Sequence, residues 1–256
     1  MLRILYSDLR FLLKNLGFKL TIAAAMLYVL GFVVILKIIM YFVNDGSFIY
    51  GEDILSAYND IAFIFITTIS VILFSADFTN GTIRNKLISG LKKSEIFVSS
   101  VISGMVASVI MTVIVTLFEA LLSIIFSEGF MTYNLAELSD NLLMLMITAA
   151  SVGAFMTMIV LVFGGKKMSY FAGFVVAFFL TILKMQVTND LYPINGNCIL
   201  TGTKLALYTA YDRFSPFMHF EGYPRWDLLS YTIGSVVLIA LSIGIGLIIF
   251  NRKEIN

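Results

Sequence analysis

Six stretches of this 256-residue chain are apolar for long enough to cross a bilayer, and that limits its fold more than any other feature. Crossing ~30 Å of hydrocarbon takes roughly 20 helical residues. The stretches lie near 20–43, 60–76, 97–126, 141–163, 168–184 and 228–250. Leu, Ile, Val, Phe and Met dominate them without two-residue alternation. In lipid every backbone N–H and C=O needs an internal partner, so such runs read as helices and not as barrel strands. Hydrophobic residues make up 59% of the chain and charged residues 13%, which leaves too little polar surface to keep it dissolved in water. The expected fold class is all-α: one polytopic membrane domain spanning 1–256, with six transmembrane helices, an N-terminal interfacial amphipathic helix over 1–19 and a short amphipathic helix between the second and third spans.

Orientation follows from where the charges sit, because Lys and Arg resist translocation. Twelve of the 17 basic residues fall on one side: Arg3, Arg10, Lys14, Lys19, Arg84, Lys86, Lys92, Lys93, Lys166, Lys167, Arg252 and Lys253. The loops after the first and third spans carry Asp45, Glu52, Asp53, Asp60, Glu128, Glu137 and Asp140 and no Lys or Arg. Both termini are therefore expected in the cytoplasm of a cell membrane, with an extracellular loop over 184–227. That loop holds Pro193, Pro216 and Pro224, the lone His219 and the lone Trp226. Arg225, Trp226 and Asp227 read as an anchor at the outer headgroups.

The first 19 residues are not expected to be a cleaved signal, since the apolar run after them is too long and ends at Asp45 and Gly46 without a small-residue cleavage site. Leu2, Leu5, Leu9, Leu12, Leu13 and Leu16 are assigned to one helical face, opposite Arg3, Ser7, Arg10 and Lys14. An ordinary basic flank that only sets topology is the alternative.

Between the second and third spans the chain reads Asp77-Phe-Thr-Asn-Gly-Thr-Ile-Arg-Asn-Lys-Leu-Ile-Ser-Gly. Asn80-Gly81 signals a turn, Thr82 can cap a helix, and 83–89 supplies about two turns with Ile83, Leu87 and Ile88 placed on one face. Gly90 can end that helix, and Ser94-Glu95 begins the next. Such a helix suits docking into a partner's groove; a solvated loop is the alternative.

The segment 77–97, read as D-F-x-N-G-T-I-R-N-K-L-x-x-G-x-x-x-x-x-x-F, resembles the cytoplasmic loop of ABC type-two exporter permeases, six-span subunits common in Gram-positive bacteria. The layout of the whole chain is similar too. Lys92 and Lys93 depart from the Ser-Arg-like pair often found there. The resemblance implies that Asn80, Gly81, Thr82, Ile83, Arg84, Asn85, Lys86 and Gly90 form a coupling helix that fits a cleft on a separate nucleotide-binding ATPase subunit. It also implies that a second copy, or a homologous permease, completes the pore.

No phosphate cradle of its own is legible. G-x-x-x-x-G-K-S/T is absent, and Gly164-Gly165-Lys166-Lys167 lacks the upstream glycine and the hydroxyl residue that holds magnesium. ATP and magnesium are thus expected on the partner, and no cofactor on this chain. With one Cys and one His, neither an intrachain disulfide nor a Cys/His metal cluster is available, and a net charge of +1 offers nucleic acid no basic field. Glu119, inside the third span, is the one clear intramembrane carboxyl. It reads as lining a transport path, as a structural partner of Lys37 or Lys184, or as marking a misplaced span end. Gly104, Ala107, Ser108, Gly234, Ser242, Gly244 and Gly246 read as helix-packing positions. The expected function is export of an amphipathic peptide, lantibiotic or hydrophobic drug. An ion-coupled carrier or channel is the alternative, and an intramembrane enzyme lacks convergent catalytic groups.

Overall fold

A computed structural model describes residues 2–43, 49–131, 135–164, 166–193, 198, 200–220 and 225–253. Asp45, Gly46 and Pro224 lie outside them. Ten α-helices and one 3-10 turn are present among the described residues. They are α1 (Leu2–Lys14), α2 (Leu16–Val43), α3 (Gly51–Leu55), α4 (Ala62–Thr79), α5 (Thr82–Ile88), α6 (Lys93–Phe126), α7 (Leu135–Phe163), α8 (Lys166–Leu191), α9 (Gly202–Phe214) and α10 (Leu228–Arg252), with the 3-10 turn at Pro216–Met218. Helices α2, α4, α6, α7, α8 and α10 are long and apolar enough to cross a membrane. The chain is an all-α, polytopic membrane protein.

The spanning helices overrun the hydropathy minima at several ends. α6 starts at Lys93, α7 at Leu135, and α8 continues to Leu191, because a helix does not stop where its side chains turn polar. Between α1 and α2 the break is a cap: the Asn15 side-chain oxygen accepts the Phe18 N–H at 3.2 Å, so the second helix restarts one residue after the first ends.

Helix α7 forms the middle of the bundle, with 67% of its central window buried, against 17% for α2 and 22% for α8, which face outward. Close approach of α6 and α7 depends on small residues. A Cβ on Gly104 would run into Thr157, and one on Gly153 into Ser108. Gly246 of α10 packs in the same way on Phe97 and Met158, whereas Gly244 points outward, with nothing within 4 Å of a Cβ there. Six of the seven small residues thus sit in the interior, and Gly244 is the exception.

The bundle has two chemically distinct ends. At the basic end α1, α5 and the start of α6 meet the ends of α7 and α10; Lys253 donates to the Val162 carbonyl at 2.9 Å, and Lys93 to the Lys253 carbonyl at 2.7 Å. At the opposite end α3, α9 and the 3-10 turn cover the bundle. α3 is joined to the end of α6 by the Gly51 N–H donating to the Gly129 carbonyl at 2.9 Å, and the Glu128 N–H to Ile49 at 3.0 Å.

Candidate functional site

Helix α5 owes its sharp boundaries to two glycines. Gly81, at φ +66, precedes Thr82 in a left-handed conformation that side chains with a Cβ disfavour. Gly90, at φ +89, closes the other end: its N–H donates to Leu87 at 3.0 Å and the Leu91 N–H to Lys86 at 3.3 Å, the paired bonds of a Schellman ending. Helix α6 restarts three residues later, with the Glu95 carboxylate accepting the Lys92 N–H at 3.2 Å. Thr82 is the first helical residue and not the cap, and its side chain lies beside the Asp77 carboxyl.

Of the eight residues singled out from the sequence, those within α5 divide between two faces. Ile83 is fully buried and Leu87 packs beside it, one helical turn on. Ile88 is not on that face: five residues from Ile83, it is rotated well away and is 75% exposed. Arg84 and Asn85 are exposed with it, so the outward face is an apolar side chain flanked by a cation and an amide. Asn80 is also exposed. Lys86 turns inward, its Nζ 2.7 Å from Oδ1 of Asp8, and both side chains are only 15% exposed. The other Asp8 oxygen accepts the Ser99 hydroxyl at 2.9 Å.

Asp8 was missed in the sequence, although a signal was present. In an otherwise basic helix it falls with Leu5, Leu9 and Leu12, the side of α1 that turns toward the bundle, where only Leu12 is fully buried. Leu13 and Leu16, assigned to that face, are exposed. A carboxylate on an apolar face calls for a cation on the neighbouring element, and Lys86 is that cation.

No protein-family model matches this chain, and no curated protein matches it.

Glu119 lies in α6, completely buried. Its Oε1 accepts the Tyr58 backbone N–H at 2.7 Å, and Oε2 has no hydrogen-bond partner. It pairs with neither lysine considered for it. Lys184 donates to the Phe220 carbonyl, and Lys37 is exposed on α2. The carboxyl therefore ties the segment after α3 to α6. Around it the Tyr58 and Thr112 hydroxyls lie 3.3 Å apart, and the Ser123 hydroxyl reaches the Gly51 carbonyl at 3.1 Å. The acidic stretch 52–60 is thus only partly a solvated loop: Asp53 and Asp60 are exposed, but Glu52, Tyr58 and Asn59 are buried. Glu119→Gln keeps an oxygen for the Tyr58 N–H while its amide NH2 takes the place of the partnerless Oε2, and it is expected to lose less stability than the alanine variant. Glu119→Ala strands that N–H and should lose about 1–3 kcal/mol. Thermal unfolding of the two variants in one detergent checks the difference.

At the opposite end Asp212 organises the cap. The carboxylate is 2% exposed and receives Arg225 at 3.1 Å, the Trp226 indole N–H at 3.0 Å and the Tyr192 hydroxyl at 3.0 Å. The Arg225 guanidinium also lies 4.0 Å over the Tyr192 ring. Arg225 and Trp226, read as a surface anchor, are therefore bound to a buried carboxylate, while the exposed Asp227 accepts the Ser230 hydroxyl at 2.5 Å at the start of α10.

His219 is buried beside this cluster, its ring 4.0 Å from Tyr231 and Nε2 3.0 Å from the Arg213 carbonyl. A carbonyl only accepts, so Nε2 carries the proton and the buried Nδ1, which has no partner, is bare. Burial pulls the pKa from 6.5 down to about 4, with the Arg213 carbonyl and Asp212 opposing it. The unfolded chain then binds more protons than the folded one between those values. His219 accordingly leaves stability unaffected above pH ~6.5, and destabilisation grows as pH falls toward ~4, reaching about 3 kcal/mol. His219→Phe should remove that slope in unfolding curves recorded from pH 7 to 4.

Proposed function

We propose that this chain is the membrane subunit of an ATP-driven ABC exporter, forming the pathway for an amphipathic peptide or hydrophobic drug while a separate ATPase subunit supplies the energy. The observation that carries this reading is α5: a two-turn helix fixed between two membrane-spanning helices, its Ile83 face buried and its Arg84, Asn85 and Ile88 face open. A short helix with a locked inner face and an apolar residue ringed by polar ones outside is a handle that transmits force, because movement of the handle must move α4 and α6. The resemblance of segment 77–97 to exporter permeases points the same way. On this reading the basic end is cytoplasmic in the cell membrane, both termini lie there, and a second permease copy faces this one.

Purification from the native membrane in mild detergent tests the assignment. An ATPase subunit of roughly 25–35 kDa, the size of a compact nucleotide-binding unit, is expected to come with it. Transport by the chain alone in ATP-free vesicles would instead favour an ion-coupled carrier.

A further inference from the structure

Beneath α5 the basic end holds a cavity of about 180 Å³, walled by α1, α4, α5 and α6. At ~30 Å³ per water this is room for about six waters or a group of similar size. Phe11, Leu12, Leu73 and Phe74 form its apolar wall, and Asp8, Asp77 and Lys86 supply its charges. Two carboxylates against one ammonium leave an excess negative charge facing the space. Lys86 and Ser99 already occupy the two oxygens of Asp8. Asp77 lines the same space beside the Lys86 charge and the Thr82 side chain, and the exposed Asn80 amide stands at its edge.

A further polar group points to a ligand independently of the acidic pair. Ser103 lines the same cavity, is 2% exposed, and its hydroxyl has no hydrogen-bond partner. A buried hydroxyl left alone costs free energy unless something fills the space beside it. An anion is opposed by the net charge of the walls. A divalent metal is opposed by the donor set, because no three His, Cys, Asp or Glu side chains converge to hold one among the described residues. A primary ammonium presents three donors, matching Asp77, Asn80 and Ser103, and its alkyl carbons would lie against Phe11 and Phe74, whose ring faces also attract cations.

We propose that this cavity is a binding site for a small organic ammonium ion. The site needs no ATPase and no transport to be occupied, so it stands or falls separately from the exporter reading. Its ligand would touch Thr82 and Lys86 at the base of α5, and occupancy would therefore be felt by the outward face of that helix.

The test uses the full chain in phosphatidylcholine nanodiscs, titrated calorimetrically with n-butylammonium, and with butyrate and n-butanol as controls. Saturable binding of the amine alone is expected. Asp77→Asn should weaken it about tenfold or more, and Lys86→Gln should tighten it by removing the internal competitor for the carboxylates. Opposite shifts separate binding from damage, since general loosening of the site would weaken both variants. Amine binding that fails to saturate, that ignores Asp77→Asn or that weakens in Lys86→Gln overturns the proposal. Repeating the titration in discs containing phosphatidylethanolamine identifies the source of the amine: suppression marks a lipid headgroup as occupant, and an unchanged isotherm marks a free amine.

Discussion

On the exporter reading, ATP-driven export should fall about 100-fold in vesicles reconstituted with the Arg84→Glu, Ile88→Glu variant and an ATPase partner. Buried interface residues that contribute about 2 kcal/mol or more each are few, and here the exposed apolar residue and its neighbouring cation are the two best placed to be among them. Both point away from the bundle, so the variant should insert and unfold like the parent. Lys86→Glu is the wrong probe for docking, because it would set a third carboxylate beside Asp8 and Asp77 and disturb the fold first. Undiminished transport by the double variant would remove the docking role from this face of α5.

Asp212→Ala is expected to lower stability by about 3 kcal/mol, since it leaves the Arg225 charge and the Trp226 N–H without the acceptor they share. Arg225 retains some solvent access, which keeps the loss below that of a fully enclosed pair. For a chain of this size the unfolding midpoint should drop by roughly 5–10 °C. Asp212→Asn, with one acceptor oxygen left, should lose less. A midpoint that does not move would mean that the cluster contributes nothing net.

The two sets of contacts explain why the ends of this bundle were read less well than its length. Gly81, Gly90 and the apolar runs act through the residue itself or its near neighbours, so α5 and the six spanning helices were visible in order and approximate position. Ile88 was misplaced because a hydrophobic residue in a short helix has no period long enough to assign its face; only packing against α4 and α6 showed that Ile83 and Leu87 are covered and Ile88 is not.

Glu119 shows the complementary limit. Its type and place in an apolar run announced a buried carboxyl, but the partner proved to be a backbone N–H 61 residues away, and no side-chain pattern encodes a backbone donor. Asp8 with Lys86, 78 residues apart, and Asp212 with Arg225 and Trp226 belong to the same class. Apolar length, glycine conformation and helix caps are short-range properties, and the chain alone fixed the spans, the all-α class and the ends of α5. Which charges are neutralised, and which face of α5 remains open, depended on elements distant in sequence being brought within 3 Å or so, where desolvation makes a hydrogen bond or ion pair decisive.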